Sequence, residues 1–285
     1  MTQTIDIVRT VERLRARIAS WREAGDTIAL VPTMGAIHEG HLSLVALGRS
    51  RAARVVTSIF VNPTQFGPGE DFSAYPRDEA RDGEVLSKAG STLLYVPKAE
   101  EMYPSGFSTR VHVGDLTEDL CGASRPDHFD GVATVVAKLL LQCTPDKAIF
   151  GEKDYQQLLV IKRLVRDLNI PVEIVGGPIV RERDGLALSS RNAYLSSDER
   201  RTAPVLYKTL QQTAMDLAQG AKAEGAEEAA RLKLEEAGFR VDYVAIRDPD
   251  TLRPLRGPVR FARVLAAVRL GKTRLIDNVA VPLTS

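Results

Sequence analysis

The chain has 285 residues, 44% of them apolar and 26% charged, which suits one large or two average domains with a core that needs no disulfide or metal staple. A formal net charge of +1 leaves no basic excess for tracking nucleic acid, and no run of about 18 uncharged apolar residues offers a membrane span. The two cysteines, Cys121 and Cys143, form no ligand cluster and fit reduced thiols in a cytoplasmic protein.

Residues 1–25 carry an arginine-rich amphipathic helix pattern; it lacks the uninterrupted apolar core of a signal peptide, and Asp6, Glu12 and Glu23 argue against a transit peptide. Residues 27–31 read as a buried strand, followed by a helix from about 40 to 51. A second strand is expected over 55–61, a charged helix over 76–89 and a third strand over 92–96. An apolar helix over 132–141, a strand over 147–150, a helix over 154–168 and a fifth strand over 172–175 complete the pattern. Near-continuous apolar strands separated by helices predict an α/β fold, a Rossmann-like parallel sheet with helices on both faces. From about residue 181 the character changes. Residues 197–237 predict two helices broken around Gly220 and Gly225, and strands are expected over 241–246, 261–270 and 274–281. The last two flank Gly271-Lys272-Thr273, read as a hairpin turn and not as a P-loop, because Ala266 stands where the first glycine belongs. The expected organisation is a Rossmann-like nucleotide- and substrate-binding domain over 1–180 and a smaller C-terminal α+β lid domain over 181–285.

In parallel sheets ligands bind beyond the carboxyl ends of the strands, so the loops that follow them carry the functional reading. After the first strand, His38 and His41 flank a helix start at Gly40, a place where phosphate oxygens find N–H groups and positive potential. After the second comes Gln65, whose amide can bind a hydroxyl and a carboxylate at once. After the fourth, Gly151 permits close approach, and Lys153 opposes the dipole of the helix it begins, which suits a bound phosphate. After the fifth, Ser189, Ser190 and Arg191 combine hydroxyls with a guanidinium. No G-x-G-x-x-G follows any strand, which removes the main support for a nicotinamide dehydrogenase.

Five segments in order, Val31-Pro-Thr-Met-Gly-Ala-Ile-His-Glu-Gly-His41, Phe60-Val-Asn-Pro-Thr-Gln-Phe-Gly67, Arg125-Pro-Asp-His-Phe-Asp-Gly-Val132, Phe150-Gly-Glu-Lys-Asp-Tyr-Gln-Gln-Leu158 and Leu188-Ser-Ser-Arg-Asn192, together resemble the pantoate–β-alanine ligases of the nucleotidyltransferase superfamily with the His-x-Gly-His motif. The resemblance implies condensation of (R)-pantoate with β-alanine through an adenylate, with ATP as substrate, Mg2+ on its phosphates and a homodimer. It implies an ATP site made of Met34, Gly35, Ala36, Ile37, His38, Glu39, Gly40 and His41, of Gly151, Glu152, Lys153 and Asp154, and of Val180, Leu188, Ser189, Ser190 and Arg191. His41 would be the proton donor, with His38, Lys153 and Arg191 as its catalytic companions; Gln65, Gln157 and Arg125 would hold pantoate, and Gln65 also β-alanine. The chain departs from the family at Leu188, where Met is frequent, and at Asp127 and Asp130, which add two carboxylates where Gly and Arg are common. A nucleotidyltransferase acting on another small substrate is the alternative enzyme, and a nucleotide-binding regulator the non-enzymatic one.

Overall fold

The computed structural model describes residues 5–257 and 259–283. Apolar runs at Asp6–Val8 (β1), Ile28–Thr33 (β2), Arg54–Ile59 (β3), Leu93–Tyr95 (β4), Lys147–Gly151 (β5) and Glu173–Gly177 (β6) form a 6-stranded sheet in the order β1-β4-β3-β2-β5-β6, all parallel. The crossovers supply seven helices: Val11–Glu23 (α1), Glu39–Arg51 (α2), Glu79–Ala89 (α3), Ala99–Met102 (α4), Cys121–Ser124 (α5), His128–Cys143 (α6) and Tyr155–Asp167 (α7). Alternation along β2 feeds two cores. Ile28 and Leu30 pack with Leu14 of α1, Val136 of α6 and Ile161 of α7. Ala29 and Val31 pack on the other face with Val45 of α2 and Leu86 of α3. Burial on both faces is why the central strands β2 and β3 read as nearly unbroken apolar runs.

The expected strands and longer helices of this layer form; the short helices α4 and α5 were not expected, and the N-terminus differs. Residues 1–4 lie outside the described residues, and the expected helix gives way to β1 before α1 starts. The segment Asp6–Val8 pairs with β4 as a sheet edge. Thr10 then caps α1 with its hydroxyl, which accepts from the Arg13 amide.

Three further helices, Ser197–Thr202 (α8), Val205–Ala218 (α9) and Ala223–Glu236 (α10), lie beside the antiparallel strands Arg240–Arg247 (β7), Phe261–Leu270 (β8) and Thr273–Pro282 (β9). Leu206, Leu210 and Leu234 join Val264 and Val268 in a third core. Where two helices were expected there are three, because Pro204 lacks the N–H that would let α8 run on into α9. The expected hairpin forms, with Leu270 paired to Thr273 across a turn in which Gly271 has φ 56°. Among the described residues no helix is long and apolar enough to cross a membrane.

Chain order runs outward from β2 through β3 to β4, then returns to the other side of β2 with β5 and β6. The switch point therefore lies between β2 and β5, and the loops at their carboxyl ends border the crevice where ligands bind in such sheets.

Candidate active site

A cleft opens at this switch point. On the β2 side the chain turns through Gly35 (φ 84°) and Ala36 (φ 50°). The buried Asp82 of α3 fixes that turn: its two carboxylate oxygens accept from the amides of Ala36 at 2.8 Å and Ile37 at 2.9 Å. His38 is then the N-cap of α2. Its Nδ1 accepts from the Gly40 amide at 3.1 Å, and the Nδ1 of His41 accepts from the His38 amide at 3.4 Å. The first-turn amides of Gly40 and His41 are thus spent on the cap, the latter on the His38 carbonyl at 2.8 Å. Because each Nδ1 accepts, a neutral ring must carry its proton on Nε2. Burial lowers His38 from 6.5 to about 4, with Lys153 adding to the effect and Asp154 opposing it. Burial, then His38 and Lys153, lower His41 to about 3. Both rings, stacked with centroids 4.0 Å apart, are neutral N–H donors at pH 7. The sequence expected both the helix amides and the two imidazoles at this place; the Gly40 and His41 amides are taken by the cap, which leaves the Nε2 groups of the two imidazoles as donors.

The β3 side is built around Asn62, buried and fully used. Its Oδ1 accepts from Tyr103 Oη at 2.8 Å and Thr64 Oγ1 at 3.0 Å, and its Nδ2 donates at 3.1 Å both to Gln65 Oε1 and to the Gly131 carbonyl. This orients the Gln65 amide, whose Nε2 faces the Met34 sulfur at 3.1 Å. His128 donates from Nδ1 to the Gln65 carbonyl at 2.8 Å, and its Nε2 accepts from Arg125 Nη1 at 2.9 Å. That lone pair is therefore occupied, and burial together with Arg125 lowers His128 to about 4, against the Gln65 carbonyl, Glu70 and Asp154. Arg125 forks onto Glu70 at 2.6 and 2.7 Å. Burial alone would raise the Glu70 carboxyl, but the Arg125 bonds and charge, the Gly67 amide and His128 overcome it and lower it to about 2. Val132, Val135, Val136 and Leu139, at helical spacing on α6, give the cleft an apolar wall.

Across the crevice, Lys153 lies in a 3-10 turn, Glu152–Asp154, between β5 and α7, and Asp154, at 3.9 Å, is its ion-pair partner. Gln157 lines the cleft and its side-chain amide makes no hydrogen bond among the described residues, whereas the side chain of its neighbour Gln156 is spent on Cys121, Leu116 and Asp119. Arg191, in a second 3-10 turn after Ser189, forks onto Asp71 at 2.9 and 3.0 Å. Ser190 ties this turn to the first loop by donating to the Ala36 carbonyl at 3.2 Å.

A family model described as pantoate-beta-alanine ligase matches residues 6–280. The chain belongs to the pantoate–β-alanine ligase family. It is 56% identical over 282 residues to a curated pantothenate synthetase of Paramagnetospirillum magneticum, covering 99% of each chain. A crystal structure of pantothenate synthetase from Thermus thermophilus superposes with TM-score 0.91 at 52% identity, over 96% of this chain and 99% of that one. A second, of pantoate–β-alanine ligase from Francisella tularensis complexed with Beta-gamma ATP and β-alanine, gives TM-score 0.82 at 33% identity, over 96% and 97%.

Of the ligase-family residues named from sequence, Met34, His38, Gly40, His41, Gln65, Arg125, Gly151, Lys153, Asp154, Gln157, Val180, Leu188, Ser189, Ser190 and Arg191 all border the one cleft. Gly35, Ala36, Ile37, Glu39 and Glu152 do not. Ile37 is a core side chain, and the amides of Ala36 and Ile37 belong to Asp82. Asp82, Asn62, His128, Glu70 and Asp71 were missed as site builders; an acid inside a charged helix or an Asn before Pro carries no distinguishing local signal. The extra acids Asp127 and Asp130 do not line the cleft: Asp127 pairs with Arg110 at 3.2 Å, and Asp130 meets His112 Nδ1 at 2.8 Å and lies 3.9 Å from Arg110.

The two glycines differ in their reasons. A Cβ on Gly151 would meet only Leu44, at 3.9 Å, so the protein itself leaves room there. A Cβ on Gly40 would lie 2.9 Å from Cε1 of His38, so glycine is needed for that ring to fold back over its cap. Gly40→Ala is expected to tilt His38 and slow turnover about tenfold, given the cost of a small misplacement. The melting temperature should move little, because alanine favours the helix by about 1 kcal/mol. Unchanged turnover with an intact fold would remove the cap from the mechanism.

Proposed function

We propose that the protein condenses (R)-pantoate with β-alanine to pantothenate, splitting ATP to AMP and pyrophosphate through a pantoyl adenylate. The observation that carries this reading is the meeting, at one sheet switch point, of two neutral imidazole donors, a lysine and two glutamine amides. Family membership and the ATP and β-alanine named for the Francisella homologue support it.

In the first step a pantoate carboxylate oxygen attacks the α-phosphorus and pyrophosphate leaves. That step needs alignment and neutralisation of charge more than covalent help. His38 and His41 donate from Nε2 to phosphate oxygens, and Lys153 and Arg191 balance the leaving pyrophosphate. Met34, Gly40, Gly151, Asp154, Val180, Leu188, Ser189 and Ser190 complete the nucleotide site. Gln65 and Gln157 hold the hydroxyls and carboxylate of pantoate, with Arg125 anchoring the Gln65 loop. The apolar wall of α6 takes the two methyl groups and keeps water from the adenylate. In the second step the β-alanine amine, guided by Gln65, attacks the acyl carbon and AMP leaves.

Mg2+ keeps phosphate and water oxygens and takes few protein ligands. Asp154 fits that role, since its only ion-pair partner among the described residues is Lys153 at 3.9 Å. When bound, the ion neutralises triphosphate charge. A domain boundary at 180/181, a lid role for residues 181–285, a homodimer and a cytoplasmic location belong to the same proposal.

The test is order of product release. Pyrophosphate should appear with ATP, Mg2+ and pantoate alone, in one equivalent, and pantothenate only after β-alanine is added. Pantothenate formation with no pyrophosphate release before the amine would overturn the adenylate route, and no turnover of pantoate at all would overturn the substrate.

A further inference from the structure

The last strand, β9, lies at one edge of the antiparallel sheet, and two consecutive buried polar residues there reach the nucleotide loops. Asn278 donates from Nδ2 to the carbonyls of Glu152 at 2.9 Å and Lys153 at 3.0 Å, while Arg263 donates to its Oδ1. Its neighbour Asp277 accepts a fork from Arg181 at 2.6 and 2.9 Å, and Oδ1 also accepts from the Asn278 amide at 2.7 Å. Arg181 in turn donates to the Gly185 carbonyl at 3.1 Å and lies 3.7 Å over the Tyr207 ring. It also stands at a bridge, Arg181 with Ala187, from which the chain enters Leu188 to Arg191; the Leu188 amide donates to the Val180 carbonyl at 3.0 Å.

We propose that Asp277 and Asn278 are positioning residues for adenylation, setting from the C-terminal sheet the loops that present Lys153 and Arg191 to the triphosphate. The inference rests on the reading of Lys153 given above. Every polar atom of both side chains is engaged, so each holds its loop in one place: the Asn278 amide has two donor hydrogens on two successive carbonyls, and its oxygen accepts from Arg263. A side chain that merely filled the interface would have no need to grip the backbone of the very residue whose ammonium borders the cleft. The anchor also gives the C-terminal sheet a direct handle on the site, because any shift of β9 carries the Lys153 backbone with it.

The experiment uses the full chain with Asn278→Ala, Lys153→Ala and the double variant, following pyrophosphate release and, separately, aminolysis of preformed pantoyl adenylate by β-alanine. Asn278→Ala is expected to slow adenylation about tenfold to a hundredfold, the scale of a 1 Å misplacement, and to leave aminolysis within about threefold. On the Lys153→Ala background it should add less than about threefold, because the group it positions is gone. Full additivity, or equal losses in both half-reactions, would overturn the proposal. A damaging Lys153→Ala beside a harmless Asn278→Ala would overturn the anchor alone. A harmless Lys153→Ala would overturn the reading of Lys153 beneath it. Should Asn278→Ala fail to fold, Asp277→Asn keeps the shape while removing the charge that holds Arg181; it should raise the KM for ATP and spare aminolysis, and an unchanged KM would count against the pair.

Discussion

Replacing His41 by alanine is expected to slow adenylate formation about a hundredfold or more, the scale of one lost transition-state donor, while ATP still binds. The reason lies in its tautomer. Nδ1 of His41 accepts from the His38 amide, so Nε2 must carry the proton of the neutral ring. With burial, His38 and Lys153 lowering it to about 3, the ring is no imidazolium at neutral pH. In the proposed mechanism it serves as a preorganised neutral hydrogen-bond donor and not as a cationic acid, which sharpens the proton-donor role implied by the family resemblance. His41→Gln, whose amide nitrogen can approach the Nε2 position, should recover part of the loss, and His41→Asn, which is too short, should not. The rate should be flat from about pH 6 to 8 so far as these two rings are concerned. Stability has a definite sign as well. Both folded values, about 4 and about 3, lie below the ordinary 6.5, so on acidification the unfolded chain takes up protons first. The stability tied to neutral His38 and His41 is complete above about pH 6.5 and falls as pH drops from there toward about 3. A kinetic pKa near 6.5 that disappears in His41→Gln would contradict the neutral-donor assignment, and near-normal adenylation by His41→Ala would remove the residue from the chemistry.

The parallel sheet was legible because strands buried on both faces show as continuous apolar runs, and β2 is the clearest, feeding Leu30 to one core and Val31 to the other. The edge strand β1 was not, since three residues are too few to show a period beside the strong helical pattern of α1. The loops after β2 and β5 were legible because the carboxyl-end rule says where to look, and His38, His41 and Lys153 have side chains whose chemistry stands out there. What stayed hidden is what holds those loops. Asp82 grips Ala36 from 46 positions away, and Asn278 grips Glu152 from 126. Separations of that size exist only after folding, and one sequence read locally has no means of pairing them. The same limit applies to charge. Arg125 and Arg191 look like free cations in sequence, yet each is forked onto an acid of one short segment, Glu70 and Asp71.

That charge balance decides where the largest single loss should fall. Lys153→Ala is expected to lower the adenylation rate by about a hundredfold or more, and by more than Arg191→Ala does, although both face the proposed triphosphate. Arg191 already satisfies a bidentate partner in Asp71, so an incoming phosphate must compete with a carboxylate at 2.9 Å. Among the described residues the Lys153 ammonium has only Asp154 as an ion-pair partner, at 3.9 Å, so in the proposed reaction it can turn to the leaving pyrophosphate without breaking a close ion pair. It is also the cation whose charge reaches both imidazoles, helping keep them neutral. Its removal therefore takes away a counter-charge and relaxes the field that depresses His38 and His41, so their apparent values should rise in the variant. Lys153→Arg should not restore the rate, since a planar fork cannot replace a compact point charge at the same depth. The measurement is single-turnover pyrophosphate release with ATP and pantoate, alongside aminolysis of preformed adenylate by β-alanine. Loss confined to the first half-reaction supports the assignment. Equal loss in both halves would make Lys153 a general structural residue, and recovery by arginine would place the requirement on charge alone.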